Sequence, residues 1–174
     1  MIKRGFTFIE LLVVVSIILL TTGMGIANFV RYQDKKEVEE AAKQVRELAI
    51  AARTKAAARE TPKEVGICDP ETSPIIAFHL VSPSPNQVEI RPVCGLDMTD
   101  LSNEGLPVSE MDKYDLPPGV SLDGGVSVYF YSLGKGANLD GTVMPITIKN
   151  DNDVSFGFEI DEAGNITQVV EIDN

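Results

Sequence analysis

Few residues in this chain are of types that do chemistry, and their spacing limits what they can do. The one histidine, His79, lies between Phe78 and Leu80 in an alternating apolar run. A nucleophilic triad or a histidine-centred metal site needs partners that neighbouring positions do not supply, so His79 reads as structural. Gly134-Lys135-Gly136 lacks the surroundings of a phosphate loop and reads as a turn. Asn138, Asp140, Asp151, Asn152 and Asp153 offer hard oxygens of the kind calcium takes. They match no EF-hand loop and read as solubilising carboxylates and amides. Cys68 and Cys94 stand 26 positions apart. In an exported protein they could close a loop worth about 3 kcal/mol; in a cytosolic one they would be two unrelated buried thiols. No set of residues supports catalysis, and the expectation is a protein that is not an enzyme, with no cofactor and no metal.

Glu10 is the exception that needs explaining. From Phe6 to Val30 the chain is nearly all apolar, and Glu10 is its single charge. Twenty-five residues at about 1.5 Å each would give roughly 37 Å of helix, enough for a hydrocarbon core of about 30 Å. Lys3 and Arg4 ahead of the run favour a cytoplasmic N-terminus. A conventional secretory signal is the competing reading, with Gly25-Ile26-Ala27 offering small residues for cleavage. An ionised carboxylate in an apolar helix costs on the order of 2.5–3.5 kcal/mol, so Glu10 should have a partner. Nothing within residues 6–30 supplies one by residue type.

The stretch Lys3-Arg4-Gly5-Phe6-Thr7-Phe8-Ile9-Glu10-Leu11-Leu12 resembles the processing motif of type IV prepilins and type II secretion pseudopilins. In that family a basic leader ends in Gly, the mature chain begins with Phe, and its fifth residue is Glu. The resemblance implies cleavage between Gly5 and Phe6 by a prepilin peptidase, N-methylation of Phe6, and an assembly role for Glu10. The amine created at Phe6 of one subunit would face Glu10 of a neighbour and set axial register more than net stability.

The elements that would carry these residues follow from periodicity. Gly23 and Gly25 interrupt the apolar run and would permit close packing or bending. Beyond Tyr32, Val38, Ala41, Ala42, Val45, Leu48, Ala49, Ala52 and Ala56 recur at spacings of three and four. Pro62 ends that pattern. The expectation is one helix of about fifty-five residues, membrane-spanning in its first half and amphipathic in its second. After Pro62 the period changes to two, and strands are expected at 75–81, 87–93, 126–132, 143–149, 154–160 and 166–172. Pro145 implies an edge or a bulge, residues 161–165 read as a hairpin turn, and residues 96–123 read as a surface loop. Four segments result: leader 1–5, polymerisation helix 6–30, amphipathic helix 31–61 and β-rich head 62–174. The fold class is α+β, with the long helix packed on an antiparallel β-sandwich head.

Leu116-Pro117-Pro118-Gly119-Val120-Ser121-Leu122, the run Val126–Phe130, Gly134 and the paired final strands resemble the H-type minor pseudopilin and FimT-like minor pilin head. The Cys68–Cys94 pair departs from the usual secretion pseudopilin. Taken together, the expectation is a minor structural subunit of a pseudopilus or pilus fibre. Its partners would be other pilin or pseudopilin subunits, a prepilin peptidase, an inner-membrane assembly platform and membrane lipid. It would sit in the cytoplasmic membrane as a single-pass protein, head outside, before assembly. The formal charge is −11, and residues 65–174 hold four basic and eighteen acidic residues. That excess repels phosphate backbones, so no nucleic acid is expected, although a FimT-like DNA-capturing pilin is the alternative function.

Overall fold

The computed structural model describes residues 7–58, 68–69, 71–96, 101, 104–107, 109–138 and 143–172, giving backbone alone at 21–28 and 110. The chain divides into two compact units, one ending at Lys36 and the other starting at Glu37. The boundary falls inside α1 (Phe8–Ala58).

In the first unit the side chains from Phe8 to Leu20 are exposed. Among the described residues no helix is long and apolar enough to cross a membrane. This overturns the membrane-spanning first half of the expected fold class, and the single-pass placement in the cytoplasmic membrane falls with it. Within the described side chains, the stretch Phe8–Leu20 covers about 20 Å at a rise of about 1.5 Å per residue, against a hydrocarbon core of about 30 Å.

The second unit is a mostly antiparallel two-sheet body with the Glu37–Ala58 part of α1. Sheet one has the order β3-β2-β1-β5-β6, built from β1 (Ile75–Ser84), β2 (Gln87–Cys94), β3 (Lys113–Asp115), β5 (Ser127–Tyr131) and β6 (Ala137–Asn138). Sheet two has the order β4-β7-β8-β9, from β4 (Val120–Asp123), β7 (Val143–Asn150), β8 (Ser155–Asp161) and β9 (Val170–Glu171). Alternation sets the faces. Phe78, Leu80, Val88, Ile90, Val128 and Phe130 of sheet one join Leu122, Ile146, Ile148, Phe156, Phe158 and Ile160 of sheet two in one core. The helix stripe Val38, Ala41, Ala42, Val45, Leu48, Ala49, Ala52 and Ala56 closes the same core, every member at most 7% exposed. Five of those eight are alanine, which lets the helix backbone lie close to its neighbours. Each buried Phe or Ile contributes roughly 1.5–3 kcal/mol against exposure.

Three details depart from the sequence expectations. Residues 96–123 are not one loop: they hold a 3₁₀ turn at Glu110–Asp112 followed by β3 and β4. Residues 166–172 do not form a full strand. Ile166 makes an isolated bridge to Ile160, and pairing resumes only at Val170–Glu171. Thr167 causes the gap. Its hydroxyl takes the Glu159 N–H, while its carbonyl accepts from Arg46 Nε instead. Pro145 lies in β7, which is an interior strand, but β4 pairs with β7 only over 147–150. Pro145 thus pairs with Glu159 on one side and, among the described residues, has no strand partner on the other.

Candidate functional site

Gly5 and Phe6 lie outside the described residues. Glu10 occupies the third position of α1, and Thr7 caps the helix ahead of it. Thr7 N–H and Thr7 Oγ1–H each donate to Glu10 Oε2 at 3.5 Å, and Glu10 N–H donates to Thr7 Oγ1 at 3.4 Å. This is the reciprocal capping box, in which a hydroxyl and a carboxylate satisfy backbone donors that the first turn leaves open. The expectation that residues 6–30 hold no partner for Glu10 is therefore corrected: Thr7 is one. Ser16 similarly turns inward on the helix, donating to the Leu12 carbonyl at 2.8 Å.

Cys68 and Cys94 are joined as a disulfide with Cα atoms 5.5 Å apart. The bond fastens the segment before β1 to the end of β2. On the helix side, Lys55 pairs with Asp112, a carboxylate 2% exposed, which anchors the 3₁₀ turn at Glu110–Asp112. Asp140 lies outside the described residues. Asn150 Oδ1 accepts the Asn152 and Val154 N–H groups, each at 3.0 Å, so this side chain shapes the β7–β8 turn. Among the described residues no three His, Cys, Asp or Glu side chains gather as a metal site would need.

The densest polar chemistry is on the outer face of sheet one. His79 of β1 is directly opposite Tyr129 of β5 and Arg91 of β2. Its imidazole stacks on the Tyr129 ring, centroids 3.9 Å apart and planes 10° from parallel. One ring nitrogen, Nδ1, meets Glu104 Oε1, and the other, Nε2, is 2.9 Å from Ser127 Oγ. With Nδ1 donating to the carboxylate, Nε2 is left to accept the serine proton. Glu104 comes from the segment between β2 and β3 and is held against the sheet by its bridge to Val93 and by Gly105 N–H donating to the Pro92 carbonyl. It also accepts from Tyr129 Oη at 3.3 Å and lies 3.5 Å from Arg91, which pairs with Glu89 at 3.0 Å.

Burial of the ring, at 5% exposure, pulls the His79 pKa below its ordinary 6.5. The Glu104 carboxylate opposes that shift, and Arg91 adds to it. Burial and the same carboxylate push the Tyr129 phenol upward. His79 is thus a neutral base held between a hydroxyl and a carboxylate. Ser127 is solvent-exposed and lines a cleft of about 600 Å³, whose walls include Pro83, Pro85, Leu122, Val126 and Met144. None of the described residues lining it is charged.

The partners of His79 are not its neighbours in sequence. Ser127 is 48 positions away and Glu104 is 25; the pairing of β1 with β5 brings the first to it, and the contacts of Glu104 and Gly105 with Val93 and Pro92 bring the second. No family model, curated protein or solved structure matches the chain.

Proposed function

We propose that this protein is a pilin-like structural subunit, processed between Gly5 and Phe6 and assembled with other such subunits through the start of α1. One observation carries the reading: thirteen consecutive positions, Phe8–Leu20, expose their side chains around the helix, and the single charge among them is Glu10. Eleven of them are large apolar residues. An apolar surface of that extent marks an association site, and the self-complementary occupant is the same helix of a neighbouring subunit. Packing neighbours onto it removes water from Glu10, and a buried carboxylate then needs a cation. The amine freed at Phe6 is a cation of the right kind on every processed copy. In the uncut chain the capping box with Thr7 satisfies the same carboxylate.

The test is Glu10→Leu in cells that assemble the fibre. The variant should accumulate to the parent level and be cut to the same mass, yet be missing from the sheared fibre fraction. Incorporation at the parent level would overturn the reading.

A further inference from the structure

We propose that Ser127, His79 and Glu104 form an acyl-transfer site for small uncharged esters, with Ser127 as nucleophile, His79 as general base and Glu104 as the positioning carboxylate. Such a site lies beyond the structural role and does not depend on it. Three side chains from separate parts of the chain form an unbroken series: hydroxyl, imidazole, carboxylate. Nucleophilic catalysis by serine requires that order, because the imidazole must take the hydroxyl proton while its far nitrogen is held in the donor tautomer.

Access follows the same order. The base is buried and stacked on Tyr129, the Glu104 side chain is 23% exposed, and Ser127 is the most open of the three. Ser127 is one of the residues that line the cleft. A satisfied structural histidine does not require its serine partner to line a cavity. The cleft also contributes Ser82, Ser84 and the Gly124–Gly125 peptide, groups of the type that donate to an oxyanion. An apolar, uncharged wall of about 600 Å³ suits short neutral acyl chains and disfavours charged ones.

In the step, Ser127 Oγ forms a bond to the ester carbonyl carbon as its proton passes to His79 Nε2. The carbon–oxygen bond to the leaving alcohol then breaks, and the alcohol takes that proton. Water attacks the acyl-serine, giving one proton to His79 Nε2, which returns it to Ser127 Oγ as the carboxylic acid departs. Nothing is oxidised or reduced. His79 works in its neutral form. The titratable or charged groups around it are Glu104, Tyr129, Arg91 and Glu89, from β5, β2 and the crossing segment.

The experiment uses full-length protein in dilute non-ionic detergent with p-nitrophenyl acetate and butyrate, and a fluorophosphonate probe located by peptide mass spectrometry. The parent should hydrolyse both esters and carry the probe on Ser127. Ser127→Ala, at an exposed position, should melt with the parent yet lose hydrolysis at least about a hundredfold and lose labelling. The kcat/KM profile should fall on acidification as His79 gains its proton. Because Glu104 raises the His79 pKa, Glu104→Gln should slow the reaction and move the acid limb to lower pH. A parent no faster than Ser127→Ala, or a probe absent from Ser127, would show a structural relay only and overturn the proposal. An unmoved acid limb in Glu104→Gln would overturn the role given to that carboxylate.

Discussion

Removing the Cys68–Cys94 bond should weaken the second unit by an amount that can be worked from the fold. The bond closes a loop of 26 residues that contains the β1–β2 hairpin. On the chain-entropy estimate, opening such a loop returns about 12 cal/mol/K to the unfolded ensemble, or about 3.5 kcal/mol at 25 °C. Unfolding entropy near 2.1 cal/mol/K per residue, applied to residues 37–174, converts this into a fall in Tm of about 12 °C. Cys68→Ala is the cleaner variant, because Cys68 is only half-buried while Cys94 is 1% exposed. The assay is thermal unfolding of parent and variant followed by circular dichroism, each with and without dithiothreitol. Reductant should bring the parent down to the variant and leave the variant unchanged. A variant within about 3 °C of the oxidised parent would refute the reasoning, since unfolded-chain entropy would then not be what the bond limits.

Two further outcomes follow from the same geometry. Gly136→Ala should cost about 2 kcal/mol or more by urea unfolding, because a Cβ there meets the Glu162 carbonyl oxygen at 2.2 Å and the backbone has φ +88°. Stability should also fall between pH 7.5 and pH 5.5. The unfolded chain binds a proton at His79 near 6.5, while burial holds the folded pKa lower, so stability declines as pH drops from 6.5 toward the folded value and levels off below it. His79→Gln should flatten that part of a urea-midpoint series; an unchanged slope in the variant would count against His79 as its source.

The parts of the fold legible in the sequence are those with long, strong periodicity. Val38 to Ala56 repeat every three or four residues, and the same residues line the core. The alternation in β1, β2, β5, β7 and β8 is similarly plain, because each has one face in that core. β3 and β6 have three and two residues and carry too few side chains to show a period. Thr167 has a strand former's side chain, yet its hydroxyl accepts the Glu159 N–H in place of its own carbonyl, which accepts from Arg46 Nε instead. At the start of α1 the T-x-x-E spacing of Thr7 and Glu10 is a capping signal visible without any structure. Reading the run as a membrane span directs attention to the cost of the carboxylate and away from the neighbour that binds it. The Ser127–His79–Glu104 series was not legible at all, since strand pairing and a crossing segment create it.

Pro145 has a bearing on how copies of this body can coexist at close quarters. Where β4 stops short, β7 is left with an unmatched border inside an otherwise paired sheet. A foreign strand arriving there would find no amide hydrogen at 145 and an imino ring where its carbonyl should dock. The body is thereby guarded against stray strand addition at that place.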